Sequence, residues 1–191
     1  VALHYTYGYG YYAEFRPNNK FKKFGLTYYD NEGNFVKRSD FIRKKGLTQH
    51  TYGLVYNANY KDDSWDVLGG VNLQQFRAGH FGYLTYIANE GANAQYRANS
   101  DYQYYDSDAR KNDYSAFVKA TLHLNAAWDI FGDVQYRHVG YKTDGKNDKF
   151  YEQADGTYKN QMLNIDEQYN FVNPKAGITF HQDGHKAYFS V

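Results

Sequence analysis

Over long stretches of this chain every second residue is apolar, and that period of two dictates strands with one apolar and one polar face. From Val1 to Tyr11 the odd positions are Val1, Leu3, Tyr5, Tyr7, Tyr9 and Tyr11, with Ala2, His4, Thr6, Gly8 and Gly10 between them. A second series is Tyr52, Leu54, Tyr56, Ala58 and Tyr60, flanking Asn57 and Asn59. A third sets Trp65, Val67, Gly69, Val71 and Leu73 against Asp66, Gly70, Asn72 and Gln74. A fourth runs from Tyr114 to Leu124, with Ser115, Lys119, Thr121 and His123 opposed. The fifth alternates Trp128, Ile130, Gly132, Val134 and Tyr136 with Asp129, Asp133, Gln135 and Arg137. A sixth strand is expected from Tyr169 to Phe180, and a seventh from His185 to Val191.

The runs last about 10 residues, enough for a tilted strand to cross a bilayer, whereas strands of soluble sandwiches usually run about 5–6. The connections alternate in length. Lys61-Asp62-Asp63-Ser64, Asn125-Ala126 and Gln182-Asp183-Gly184 are hairpin-sized. The stretches Pro17 to Leu47, Gly82 to Asn112 and Lys142 to Gln168 read as long loops. In a meander this puts the short turns at one end and the long loops at the other, as in outer-membrane barrels, so the short turns are expected to be periplasmic and the long loops, at the upper end, extracellular. A soluble β-sandwich is the competing architecture. Lys119, Asp129, Asp133 and Arg137 fall on the polar faces, where burial in a dry core would be costly. The expected fold is therefore all-β: about seven long antiparallel meander strands forming a segment of a transmembrane β-barrel. The whole chain, 1–191, reads as one partial barrel domain, since strand patterning is already under way at Val1 and continues to Val191.

Composition agrees. Tyr (23) and Phe (13) lead the apolar residues, and mean hydropathy is −0.86. Tyrosine-rich surfaces suit strands with one dry and one wet face. Trp65 and Trp128 both follow a short turn, where membrane–water interfaces collect tryptophan. The net charge of +1 gives no basic field for nucleic acid. Without cysteine there is neither a disulfide framework nor thiol chemistry. No phosphate-binding loop, nucleophile elbow or metal-ligand spacing stands out, so no enzyme activity and no cofactor is expected. Asp62-Asp63 and the group Asp106, Asp108 and Asp113 are loose acidic clusters in predicted turns and loops. Lys20, Lys22, Lys23, Arg38, Arg43, Lys44 and Lys45 make the first long loop basic, a candidate contact for anionic lipopolysaccharide.

Three stretches resemble TonB-dependent outer-membrane receptors. They are Gly8-Tyr9-Gly10-Tyr11-Tyr12-Ala13-Glu14-Phe15, then Ser39-Asp40-Phe41-Ile42-Arg43-Lys44-Lys45 with Tyr52-Gly53, and Asp129 to His138 with Phe171-Val172-Asn173-Pro174-Lys175-Ala176-Gly177. The resemblance implies the central part of a barrel of about twenty-two strands, without the plug domain that contacts TonB. It implies energised uptake across the outer membrane of a scarce ligand: an iron chelate, haem, a cobalamin or a glycan. Outer-membrane lipid would then be a partner, and the TonB complex one only through the plug. A passive porin or structural barrel, and a soluble carbohydrate-binding module, are the alternatives. Phe76-Arg77-Ala78-Gly79 before His80 is similar to the Phe-Arg-Ala-Pro box of haem importers. Gly79 replaces the proline, and Asn173-Pro174 lies farther downstream than in that family. Ligand contacts are expected at the upper strand ends, from His80, Tyr83, Tyr86, Tyr104 and Tyr105, with the tyrosines exposed for stacking on sugars or flat chelates.

Overall fold

A computed structural model describes all residues, Val1–Val191. The chain is all-β, and its main sheet is a seven-stranded antiparallel meander. Its strands are β1 (Ala2–Lys20), β4 (Arg38–Lys61), β5 (Trp65–Ile87), β6 (Tyr102–His123), β7 (Trp128–Glu152), β8 (Tyr158–Gln182) and β9 (His185–Ser190). A small hairpin of β2 (Tyr28–Tyr29) and β3 (Phe35–Val36) lies between β1 and β4, and helix α1 (Glu90–Tyr96) between β5 and β6. Each long strand pairs with its sequence neighbour, so hairpins build the sheet one after another.

The register joins the alternating faces into continuous surfaces. Tyr56, Val71, Ala116, Tyr136 and Val172 stand side by side across β4 to β8, and Ala58, Gly69, Val118, Val134 and Pro174 form the next row down. These rows form an apolar belt. Its upper edge is Tyr52 on β4, then Leu73 and Tyr114 one ladder row lower, then Tyr136 and Val172 a further row lower. The lower edge descends in step: Tyr60, then Trp65 and Leu122, then Trp128 and Phe180. The opposite face carries Asn72, Lys119, Asp133, Gln135 and Lys175 at the same heights. At the height of the belt no second layer covers either face: 16 of 191 residues are buried in the whole chain, and Tyr56, Val118, Val134 and Val172 stay exposed.

The short turns are tied by side chains. Asp62 accepts hydrogen bonds from the backbone N–H groups of Ser64 (2.8 Å) and Trp65 (2.7 Å). Asn125 does the same for Ala127 (2.9 Å) and Trp128 (3.1 Å). An Asx side chain three residues before a tryptophan thus fixes both hairpins. In the third, Asp183 and Gly184 both have positive φ (51° and 79°), as a two-residue hairpin turn with the twist of its strands demands.

The strands run well past the stretches that the alternation marks. Of the three predicted long loops, only residues 21–37 and 88–101 lie outside the main sheet, and the third shrinks to 153–157. Arg38, Arg43, Lys44 and Lys45, read as loop residues, belong to β4, and Asp106, Asp108 and Asp113 to β6. Beyond the alternating stretches of β6, β7 and β8 polar residues predominate on both faces, so the ladder continues there with little hydrophobic contrast to reveal it. Strict alternation of short turns with long loops therefore holds for the first two pairs of connections only.

Replacing Asn125 by Ala leaves two turn N–H groups without their acceptor. It is expected to cost about 1 kcal/mol, the usual scale for losing such a cap, and Asn125→Asp retains most of it. Urea unfolding of the intact protein, followed by Trp128 fluorescence, measures the difference; an unchanged midpoint in Asn125→Ala would show that the turn does not depend on this side chain.

Candidate functional site

The only substantial core sits at the upper end of the polar face. Phe21, Phe24, Leu26, Tyr28, Phe41, Leu84, Ile87, Ala92, Tyr104 and Tyr105 form one buried cluster, with Phe150 packed against it. Irregularities in the ladder place several of these side chains. On β6, Gln103 pairs with Tyr83 and Tyr105 with Gly82, which leaves Tyr104 as an extra residue. Such a bulge re-aims a side chain, and Tyr104 joins Tyr105 in the cluster, ring centroids 5.1 Å apart. A second shift pairs Ile42 with Tyr86 and Arg43 with Leu84, so that Leu84 and Ile87 both reach the cluster. Gly82 permits the arrangement, because a Cβ there would fall inside the Tyr105 ring.

The two upper loops complete the cap. The 3-10 turn Phe21–Phe24 buries both phenylalanines, and Phe24 meets Phe41 and Tyr104 at centroid distances of 4.8 and 5.3 Å. Asn89 caps α1 by accepting from Ala92 N–H (2.9 Å), and Ala92 packs inward. The Tyr96 hydroxyl donates to the Thr27 carbonyl, which stitches the loops together. The bulge at 147–149 on β7 brings Asp148 to within 2.7 Å of Lys45 on β4. These strands are three ladder steps apart, roughly 14 Å in a flat sheet, so the upper end closes over its polar face.

Below the cap lies an open depression of about 630 Å³ lined by Tyr12, Lys45, Gln49, His80 and Tyr105, with Gly8 and Gly10 at one side. Lys45 Nζ lies 5.2 Å from the Tyr105 ring centroid. Nearby, Arg43 directs Nε (3.0 Å) and Nη2 (2.7 Å) at one oxygen of Glu14, whose other oxygen lies 3.1 Å from Arg16 Nε. The Arg43 hydrogen bond holds the Glu14 carboxyl below its ordinary range. Burial pushes the Tyr105 phenol up to about 12 and raises Tyr104 further. The Tyr104 hydroxyl is buried without a hydrogen-bond partner. This combination of aromatic rings, one lysine and the His80 imidazole can bind and orient a ligand. Among its side chains, no nucleophile is paired with a base, and no group of three or more His, Asp or Glu could hold a metal.

The five residues expected to contact ligand do not converge. His80 and Tyr105 line the depression. Tyr83 and Tyr86 lie on the other face, where Tyr83 packs on Phe81 (5.6 Å) and Tyr86 is exposed. Tyr104 and Tyr105, expected to be exposed, are buried (3 % and 9 % accessible): Tyr105 lies on the face that the loops cover, and the bulge turns Tyr104 to join it. Asp62, in a predicted acidic cluster, spends its carboxylate on the turn and on Tyr60 Oη (2.7 Å).

The sequence reading missed Tyr12, Lys45 and Gln49, whose convergence needs the β1–β4 register. It also missed two polar-face groupings farther down. Asp113 takes a two-pronged hydrogen bond from Arg137 (2.9 and 2.6 Å), and Asp129 lies between His123 (2.6 Å) and His181 (3.5 Å). Each joins residues of neighbouring strands and becomes legible only once the register is known. Comparisons of the chain with protein-family models, with curated proteins and with solved structures find no match.

The raised tyrosines give the cap a pH limit. Unfolded tyrosines ionise near 10, whereas the folded cap keeps these two neutral. Stability from their burial is complete below about pH 10 and is lost as pH rises through 12. In a 295 nm titration, Tyr105→Phe is expected to remove a component centred at about 12. Removal of a component near 10 instead would mean that Tyr105 is solvated.

Proposed function

We propose that this chain is part of the wall of a transmembrane β-barrel in a bacterial outer membrane, and that the barrel is a receptor for energised uptake of a scarce ligand. The apolar belt carries the reading. On each of β4 to β8 it spans roughly nine residues, close to the 9–11 that a tilted strand needs to cross a bilayer. Its edges descend together by about one residue per strand. At ~3.4 Å per residue and ~4.8 Å between strands, that drift corresponds to a tilt of about 35°, within the range of membrane barrels. A level belt on tilted strands must shift against the ladder in just this way.

Other features support the assignment. The belt is uncovered, which a soluble sandwich would not tolerate, and a membrane would cover it. The opposite face is polar and ion-paired, as suits a watery lumen. The outward edge of β1 and the edge of β8 over Tyr158–Lys175 have no partner strand, and further wall strands would satisfy them. Tyr52, Tyr60, Tyr114, Tyr136, Trp65 and Trp128 mark the belt's two margins, as aromatic girdles do.

A receptor is favoured over a passive pore by the aromatic cap. The upper loops fold onto the face assigned to the lumen, narrow that end and form the depression beside His80 and Tyr105. Tyr12, Lys45, His80 and Tyr105 are the residues proposed to meet ligand. Coupling to TonB would run through a plug domain, in keeping with the resemblance of the strand motifs to TonB-dependent receptors.

In the intact membrane, Val118→Cys is expected to react with a lipid-soluble maleimide and to resist a water-soluble one. Lys119→Cys, on the facing side of the same strand, should show the reverse. Equal reaction of both with the water-soluble reagent would remove the barrel assignment. Steady, ungated conductance of the whole protein in a planar bilayer would replace the receptor by a passive pore.

A further inference from the structure

Above the belt, on its own outward face, the register places Arg77, Arg110 and Lys142 directly beside one another on β5, β6 and β7. Like charges opposed across a ladder repel, so the row calls for an anion. Arg77 and Arg110 have no carboxylate partner within ion-pair distance, while Lys142 lies 3.4 Å from Asp166. Amides orient the two guanidinium groups: Arg77 Nε donates to Gln75 Oε1 (2.7 Å), Arg110 Nε to Asn112 Oδ1 (3.3 Å), and Gln75 Nε2 to Asn112 Oδ1 (2.9 Å). That tether leaves the terminal nitrogens of both forks free. All three cations are exposed, and with Thr48, His50 and Gly79 they line a shallow pocket of about 480 Å³. Asp108 and Asp144 line its upper side, one row farther from the belt.

We propose that this row binds the phosphate groups of an anionic lipid in the outer leaflet. The proposal rests on the barrel reading. Two ladder rows separate Arg77 and Arg110 from Leu73 and Tyr114, a rise of about 11 Å along strands tilted as above, and three rows, about 17 Å, separate Lys142 from Tyr136. Headgroups occupy roughly the first 5–8 Å beyond the hydrocarbon; the two arginine side chains are long enough to reach back into that layer, and Lys142 adds its charge just outside it, within a Debye length. Two open guanidinium forks suit phosphate oxygens, which accept paired N–H bonds. Asp108 and Asp144 repel phosphate from above and restrict it to the side next to the belt. The row takes over the lipid contact expected of the first loop, four of whose seven basic residues lie in β4 instead.

The test folds the full protein into phosphatidylcholine vesicles containing either diphosphorylated lipid A or its dephosphorylated counterpart with the same acyl chains. Native mass spectrometry then reads the lipid retained after gentle extraction. The phosphorylated form should be retained selectively. At roughly fivefold per cation near an anionic surface, the triple variant R77Q/R110Q/K142Q should lose retention on the order of a hundredfold. D108N/D144N should raise it. Equal retention of the two lipids, or full retention by the triple variant, would overturn the proposal. So would loss of retention in D108N/D144N, which would signal a bridging cation, or displacement by inorganic phosphate, which would signal a free-anion site. Flotation with the vesicles is scored separately: protein that floats but shows no selectivity refutes the lipid site alone, and protein that fails to insert refutes the barrel together with it.

Discussion

Everything in this structure depends on the cross-strand register. An alternating strand is only potentially two-faced. The in-register antiparallel ladder is what joins Tyr56, Val71, Ala116, Tyr136 and Val172 into one row and sends Asn72, Lys119 and Asp133 to the other side. A slip of one residue in any pair would exchange the faces of every strand beyond it. The turns hold the register through Asp62, Asn125 and the Asp183-Gly184 pair, each at a position where backbone N–H groups or positive φ require that residue. Small, polar and local contacts thus fix a surface that is large and apolar.

The same ladder is deliberately broken at its upper end. The bulges near Tyr104, Thr85 and Asp148 bend strands inward and put neighbouring side chains on one face. Without them Tyr104 would point outward with Tyr83 and Phe81. With them, a sheet that elsewhere buries almost nothing acquires a compact aromatic cap, sealed by two loops. The depression with His80 exists because that cap overhangs it.

The two faces then support different chemistry within a few residues of each other. Lys45 and Tyr105 look into the closed side, whereas Arg77 and Arg110 look out of the other. Both sites lie above the belt, where, in the proposed barrel, strands would be free of the hydrocarbon constraint and could carry charge on either face. On that proposal, the division gives a physical reason for strands that continue well beyond the belt.

Sequence alone determined the strand count, the antiparallel meander, the three short turns and the assignment of faces within the belt, because period-two contrast is a local property of each strand. It also placed His80 and Tyr105 near the upper ends. It did not determine how far the strands continue, since Lys142 to Lys149 is polar throughout and the apolar residues between Phe150 and Ile165 keep no steady period of two. Nor did it determine the burial of Tyr104 and Tyr105, because a bulge breaks the period at Tyr104 and the loops that cover Tyr105 come from distant segments. The tertiary structure alone decided which residues of different strands meet: Lys45 with Asp148, Asp113 with Arg137, and Arg77 with Arg110 and Lys142. Those meetings follow from pairing offsets between segments far apart in the chain, which no single strand encodes.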